Sequence, residues 1–494
     1  WTAPELIEAD SQGGAEFTVL EDGSIPASGA NPAVDSHHYQ LRTDAMDLRL
    51  LQLDILGHES QANGAPGRSD NGNAVLTSIQ IEAVSVLDPS IRKPVDISWA
   101  WADFAQTNDD YHLLRAFDSR PNTGWAIAGH TDGSDRSALF LTEEPVGFEG
   151  GTDLHVTLGY NSIWAKHSFG RVLFSLGQLA AEGIAQLPLA HGNWYHAGPF
   201  ALPSASGAYR AAFGPELDGT LDPSVAFSAQ GSPGMAWAYR MDFADGTTNA
   251  LPGGTNIHYV GKEIWAPQPR EVEVSLGSDD GFALFVNGER VSEREVPRGV
   301  LPDQDRAKIN LRAGRNTLVL KIINTGGDGG YYFKALEDAS VLLGDLVAAT
   351  RHAVGRKPVD EAALDQRIQH AWRLTHSPEF AAILAQETTL VAAQAVLESS
   401  IPRSMVMREL PQPRAAFVLN RGEYDKADPD RPVEPGVPRF LAGFRADHFP
   451  SGQRATRLEL AQWMTDSENP LVARVAVNRI WQTIFGTGLV ASSG

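Results

Sequence analysis

Two adjacent carboxylates, Asp279-Asp280, stand just ahead of Gly281 and the apolar run that ends at Asn287-Gly288. Hard carboxylate oxygens in a tight loop, completed by backbone carbonyls and an asparagine amide, make the ligand set a Ca2+ ion takes. Asp279, Asp280 and Asn287 are therefore the candidate calcium ligands. The ordinary alternative is a turn in which the carboxylates accept from backbone N–H groups.

A second set lies near the C-terminus: Arg408, Glu409, Arg414, Arg421, Tyr424 and Asp425, then Arg474, Asn478 and Arg479. Arg474 and Asn478 are four apart and share a helix face. Guanidinium forks grip carboxylates and sulfates through paired hydrogen bonds, so these residues could line a polar pocket for an anionic sugar. They could equally form an Arg–Glu network that pins a connector to its helices. Trp99, Trp101, Trp125, Trp164, Trp194, Trp237 and Trp265 offer indoles that stack on sugar faces, although Trp in a β-sandwich usually belongs to the core.

Other chemistry is excluded or unsupported. The chain has no cysteine, which rules out within it a C-x-x-C-H haem attachment, a thiolate zinc site, an iron–sulfur cluster and a thiol nucleophile. Neither H-E-x-x-H nor G-x-S-x-G occurs. Gly326-Gly327-Asp328-Gly329-Gly330 lacks the Lys-Ser/Thr of a phosphate loop and reads as a flexible turn. Met405 and Met407 could serve as axial haem ligands but read as packing residues. With 40 Lys and Arg against 61 Asp and Glu, a net charge of −21, the chain is a poor fit for nucleic acid or an anionic membrane surface. No apolar run is expected to approach a membrane span.

These residues need elements to hold them. Up to about residue 190, Leu51, Leu53 and Ile55 alternate with polar neighbours, as do Ile79 and Ile81, Leu154, Val156 and Leu158, and Val172, Phe174 and Leu176. Period two marks half-buried strands, and the stretches Gly23–Gly29, Asn63–Asn73 and Thr131–Ser134 read as turns. A linker at Leu187–Gly192 leads to a second β module. There Val272, Val274 and Leu276 predict one strand and Phe282, Leu284 and Val286 the next, turned back by Asn287-Gly288. Past residue 339 the period becomes helical. Leu364, Ile368, Ala371 and Trp372 share a face, Ser377-Pro378 caps the next helix, Thr456–Glu459 is a capping box, and Gly486 ends the last helix. The expected fold is multidomain β plus α: antiparallel sandwich or jelly-roll modules over 1–190 and 193–338, then a mainly helical domain over 339–494 with an extended connector at 401–455.

Three stretches resemble one family. GRSDNGNAVLTSIQI is similar to the first, discoidin-like β module of large planctomycete proteins associated with cytochrome c domains. LGSDDGFALFVNGERV, with DQDRAKINLRAGRNTLVLKIINTGGDGGYYFK, resembles their second, of protective-antigen or galactose-binding type. RSMVMRELPQPRAAFVLNRGEYDK and NPLVARVAVNRIWQTIFGTGLV resemble their C-terminal domain of unknown function, number 1553. The resemblance implies an extracytoplasmic protein, haem c on domains outside this chain, a sulfatase-like partner, and calcium at the Asp-Asp pair that in turn holds a sugar diol. The chain opens on Trp1 without a signal peptide and stops at Gly494, so a central-to-C-terminal piece of a longer protein is expected.

The leading functional expectation is a polysaccharide-binding and scaffolding segment of a haem-linked protein acting on glycans. One alternative is that the helical domain completes an oxidoreductase or hydrolase site for sulfated or acidic sugars together with other domains. The other is a purely structural module that docks partners.

Overall fold

The computed structural model describes residues 1–118, 120–204, 207–218, 221–229, 232–336, 343, 347, 361–401, 404–441 and 454–491. Its contacts divide the chain into two compact units, Trp1–Gln386 and Glu387–Gly494. The described chain is mostly antiparallel sheet, with its long helices toward the C-terminus.

Within the first unit, the alternating residues build two sheets packed face to face. One has five strands, in the order Glu5–Ser11, Asp35–Thr43, Thr152–Tyr160, Ser78–Ser85 and Arg92–Pro94. The other has six, from Ala15–Phe17 through Ile25–Gly29, Arg171–Gln178, Leu48–Ile55 and Arg136–Val146 to Ile97–Ala102. Leu51, Leu53, Ile55, Ile81, Val156, Phe174 and Leu176 all meet in one buried cluster, as period two dictates. Two expectations are corrected here. Gly23–Gly29 is not wholly a turn, because Ile25–Gly29 is a strand paired through Ile25 and Pro26 with Val172 and Arg171. Two short helices, Gly129–Asp132 and Ala181–Gln186, also interrupt the expected run of strands.

The second pair of sheets follows. A seven-stranded sheet is built around Thr255–Ala266, Gly314–Thr325 and Gly281–Val286, and a four-stranded sheet around Gly329–Leu336 and Arg270–Ser278. Asn287 and Gly288, at φ 51° and 81°, make the expected tight turn into Glu289–Arg294. Gly326–Asp328 joins strands of different sheets rather than a hairpin. The Leu187–Gly192 linker contains a short strand, Ala190–His191, that pairs with Ile264 and Trp265. The linker is thus stitched to the second module.

Helix Glu361–His376 carries Trp372 at its exposed surface. Leu364 and Ala371 have side chains outside the described residues. Ser377 Oγ accepts from Phe380 N at 3.3 Å and starts helix Pro378–Ser400. Its segment Pro378–Glu398, 21 residues with a mean hydropathy of 1.4, is long and apolar enough to cross a membrane by length and composition. This corrects the expectation of no such run. Alanines and threonines dilute the stretch, and Glu387 interrupts it, so no unbroken aliphatic block meets the eye. A mid-helix glutamate works against insertion.

In the second unit, the expected connector contains a hairpin of Ala416–Leu419 and Ala427–Val433. Thr456 and Glu459 form the capping box of helix Arg457–Thr465. Asn469 Oδ1 accepts from Leu471 N at 3.1 Å and Val472 N at 3.4 Å to start helix Val472–Phe485, which ends at Gly486 with φ 79°.

Candidate functional site

The outward face of the five-stranded sheet carries a groove that joins several hydrogen-bonding side chains. Strand Asp35–Thr43 alternates strictly, with Asp35, His37, Tyr39 and Leu41 inward and Ser36, His38, Gln40 and Arg42 outward. Antiparallel register then aligns three rows across neighbouring strands: His38–Thr157–Gln80, Gln40–His155–Glu82 and Arg42–Asp153–Val84. Residues directly paired across strands share a face, so two polar rows and an ion pair stand side by side. The groove has a volume of about 600 Å³ and is lined by His38, Gln80, Glu82, Arg92, His155 and Thr157, with apolar Ile97 and Phe117 at one side.

Its polar groups are held in place. His38 Nδ1 lies 3.1 Å from Thr157 Oγ1, and His38 Nε2 lies 3.1 Å from His155 Nδ1. Arg42 grips Asp153 with Nε at 2.7 Å and Nη2 at 2.8 Å, and Gln40 Nε2 donates to the same carboxylate at 2.8 Å. Arg92 reaches Glu82 at 3.2 Å. Partial burial pushes the His155 imidazole below its ordinary pKa, and neighbouring His38 and Arg92 push it further. His155 is therefore neutral at neutral pH.

The neighbours His37 and His38 point to opposite faces, as strand geometry requires. His37 is fully buried and meets Asp35 at 3.3 Å. It belongs to the core rather than the groove.

A second polar cluster lies where the two β modules meet. Arg115 is 2% exposed and faces Glu263 at 3.4 Å, Asp110 at 3.3 Å and Asp118 at 3.7 Å. Tyr195 donates its hydroxyl to Asp110, Asn193 Nδ2 donates to Asp110 Oδ1 at 3.0 Å, and Arg315 pairs with Glu263. Burial alone would lower the Arg115 pKa, but Glu263, Tyr195, Asp110 and Asp118 outweigh it and keep the guanidinium charged.

The residues singled out from sequence fall elsewhere. Asp280 Oδ1 accepts from Arg298 N at 2.9 Å, and its Oδ2 from Thr325 N at 2.8 Å and Thr325 Oγ1 at 2.6 Å. Both oxygens thus accept hydrogen bonds that join loops, as a turn carboxylate does, and Oδ1 has a single donor. Burial raises the Asp279 pKa, and Asp280 and Asp328 raise it further. Asn287 is at the other end of strand Gly281–Val286, bonded to Asn316 and Thr317. The structure does not bring it to the pair. Among the described residues no group of three or more His, Asp or Glu could hold a metal ion.

Nor do the C-terminal candidates converge. Glu409 lines a groove of about 350 Å³ with Leu410, Pro413, Pro435, Arg454 and Arg457, and Arg457 Nε donates to it at 2.7 Å. This exposed pair joins the connector to a helix start. Arg408, Arg414, Arg421, Tyr424, Asp425, Arg474 and Arg479 are exposed, and the described contacts join no two of the nine candidates. Asn478 is buried and brackets the Val490 backbone, accepting from its N at 2.8 Å and donating to its O at 3.2 Å. Of the seven β-region tryptophans, Trp99, Trp125, Trp194, Trp237 and Trp265 are core, Trp101 is half-buried, and Trp164 is exposed with its Nε1 donating to Tyr111 Oη.

Sequence reasoning missed the groove because His38 and His155 are 117 residues apart. Alternation places each on a polar face, but only register makes them neighbours.

Comparison with known proteins bears on the C-terminal end. Residues 456–494 match the family described as "PSD1: Protein of unknown function (DUF1553)". This segment includes NPLVARVAVNRIWQTIFGTGLV, and the resemblance drawn from it holds at the level of that domain. No curated protein matches the chain. Matching solved structures include an anti-sigma factor domain-containing protein, 9% identical over 62% of this chain and 80% of that one, with a TM-score of 0.19. A second, an anti-sigma factor domain-containing protein from Clostridium clariflavum, is 9% identical over 66% of this chain and 93% of that one, with a TM-score of 0.17.

Proposed function

We propose that the β modules bind polysaccharide, using the groove on the outward face of the five-stranded sheet. The observation that carries this reading is the row-wise display of His38, Thr157, Gln80, His155 and Glu82 along one open groove. Two imidazoles, a hydroxyl, an amide and a carboxylate together supply the mixed donors and acceptors that sugar hydroxyls need. The apolar wall at Phe117 and Ile97 gives the C–H faces of a sugar ring something to cover, and exposed Trp164 is a second stacking surface on the same module.

On the planctomycete resemblance, the segment works outside the cytoplasm within a haem-linked protein that acts on glycans, beside a sulfatase-like partner. With no cysteine in the chain, a covalent haem would sit on other domains. Calcium plays no part in the groove reading, since its candidate ligands Asp279, Asp280 and Asn287 do not line the groove.

Calorimetry or a glycan array using neutral and sulfated polysaccharides, with and without Ca2+, tests the reading. Binding by the wild type that is lost in Gln80→Ala/Glu82→Ala is expected. Silence across the whole panel defeats it. The structural alternative is favoured by the buried Arg115–Glu263 contact between the modules, and it gains from that silence.

A further inference from the structure

We infer that His38 and His155 form a two-imidazole site for a divalent transition metal, Cu2+ foremost, on the face of the five-stranded sheet. The inference goes beyond glycan binding and does not rest on it.

The geometry comes from the sheet. His38 and His155 lie on adjacent antiparallel strands, diagonal to one another because His38 is paired with Thr157 and His155 with Gln40. Their facing nitrogens, His38 Nε2 and His155 Nδ1, are 3.1 Å apart. Two imidazole nitrogens each about 2.0–2.1 Å from one metal would subtend about 100° at that spacing. That bite lies between square-planar and tetrahedral angles, within reach of Cu2+, Ni2+ and Zn2+.

The tautomers suit this use. When Nδ1 of neutral His38 donates to Thr157 Oγ1, at 3.1 Å, its Nε2 presents a lone pair toward His155. This is the outer-shell support that metal-binding histidines use to fix ring orientation. In that tautomer, without metal, His155 Nδ1–H donates to the His38 lone pair. Loading then moves the His155 proton from Nδ1 to Nε2 through solvent, so that both lone pairs can turn to one ion.

The surroundings set the identity of the ion. No third imidazole or carboxylate completes a ready-made set among the described residues, so water fills the remaining positions in the groove. Glu82, directly paired with His155 and ion-paired to Arg92, supplies nearby negative charge, while Arg42 neutralises Asp153. A site of two imidazole nitrogens plus water ranks metals by the Irving–Williams order, which puts Cu2+ above Ni2+ and Zn2+.

The test is titration of the intact chain with CuCl2 in a weakly coordinating buffer, followed by calorimetry and electron paramagnetic resonance. One Cu2+ per chain with nitrogen hyperfine structure is expected, with Zn2+ binding more weakly. His38→Gln and His155→Gln should each weaken binding at least tenfold, and the double variant should lose the nitrogen signal. Thr157→Val, which keeps both imidazoles, should weaken binding roughly tenfold. Circular dichroism of each variant checks that the sheet persists. An unchanged titration in the folded double variant, or no nitrogen signal in the wild type, overturns the inference.

Discussion

Arg115 of the first β module and Glu263 of the second meet inside the protein, Nη1 to Oε1 at 3.4 Å, with side chains 2% and 1% exposed. Removing one partner of a buried ion pair leaves the other charge without compensation, which costs about 3–5 kcal/mol. Arg115→Met removes the one cation that Glu263, Asp110 and Asp118 share, leaving Glu263 to Arg315 and the two aspartates to their neutral donors, and should lower the melting temperature of the β region by several degrees in a calorimetric scan. Glu263→Gln should do less, since Asp110 and Asp118 still face the guanidinium. An unshifted Arg115→Met transition would show that the contact contributes nothing.

Asp35 gives the protein an acid limit. Burial pushes its carboxyl up, but His37, Ser11 Oγ and Gly13 N outweigh that and hold it at about 2. A pKa depressed from 3.8 to about 2 means stability that is present above pH 4 and lost as pH falls toward 2, amounting to about 2 kcal/mol. Asp35→Asn should cost that much at pH 7 in urea denaturation. Its deficit against wild type should shrink between pH 4 and pH 2, and a deficit independent of pH would contradict this origin.

A second acid sensitivity sits in the other module. His258 Nε2 donates to Pro252 O at 2.9 Å, leaving Nδ1 to accept from His196 Nε2 at 2.8 Å. Burial foremost, with repulsion from Arg240, holds His258 at about 4, and burial with repulsion from His258 and Arg240 holds His196 at about 3. From pH 6.5 down to about 4 the unfolded chain takes up protons that the folded chain refuses. Stability therefore falls over that window, on the order of 3 kcal/mol for each imidazole. His196→Gln should flatten the slope of melting temperature against pH there. A slope identical to wild type would assign the sensitivity to other groups.

Asn478 acts as a tether. Its two bonds to the Val490 backbone hold the segment after Gly486 against helix Val472–Phe485. Asn478→Ala should cost about 1–3 kcal/mol by removing two hydrogen bonds, at about 0.5–1.5 kcal/mol each. Hydrogen exchange at the Val490 amide should accelerate markedly, and unchanged protection would remove the tether.

Trp164 is exposed, with its indole N–H directed to Tyr111. If the first module stacks sugars there, Trp164→Ala should weaken polysaccharide binding five- to tenfold in calorimetry and leave the melting curve nearly unchanged. Undiminished binding would confine recognition to the groove.

Much of the fold was legible because burial writes a period into the chain. Leu51, Leu53 and Ile55 could satisfy only a strand, and Thr456–Glu459 and Gly486 marked helix ends through local hydrogen bonding and positive φ. Ile25–Gly29 was missed since serine, proline and glycine suggest a turn, and only pairing to Arg171 and Val172 makes it a strand. The sites were less legible for the same reason. Asp279-Asp280 draws attention by adjacency, yet the Arg298 and Thr325 groups that consume Asp280 lie 18 and 45 residues away. His37 and His38, adjacent in the chain, serve different ends because a strand sends adjacent side chains apart.

Trp265 belongs by sequence to the second module, yet its indole packs in the buried cluster of the first, 5.1 Å from the Phe117 ring. Severing the chain near residue 190 would open an indole-sized hole in one fragment and leave a bare hydrophobic ring on the other. Evolution could not easily have shuffled these halves as independent cassettes, and a biochemist wishing to produce the β region should express it whole.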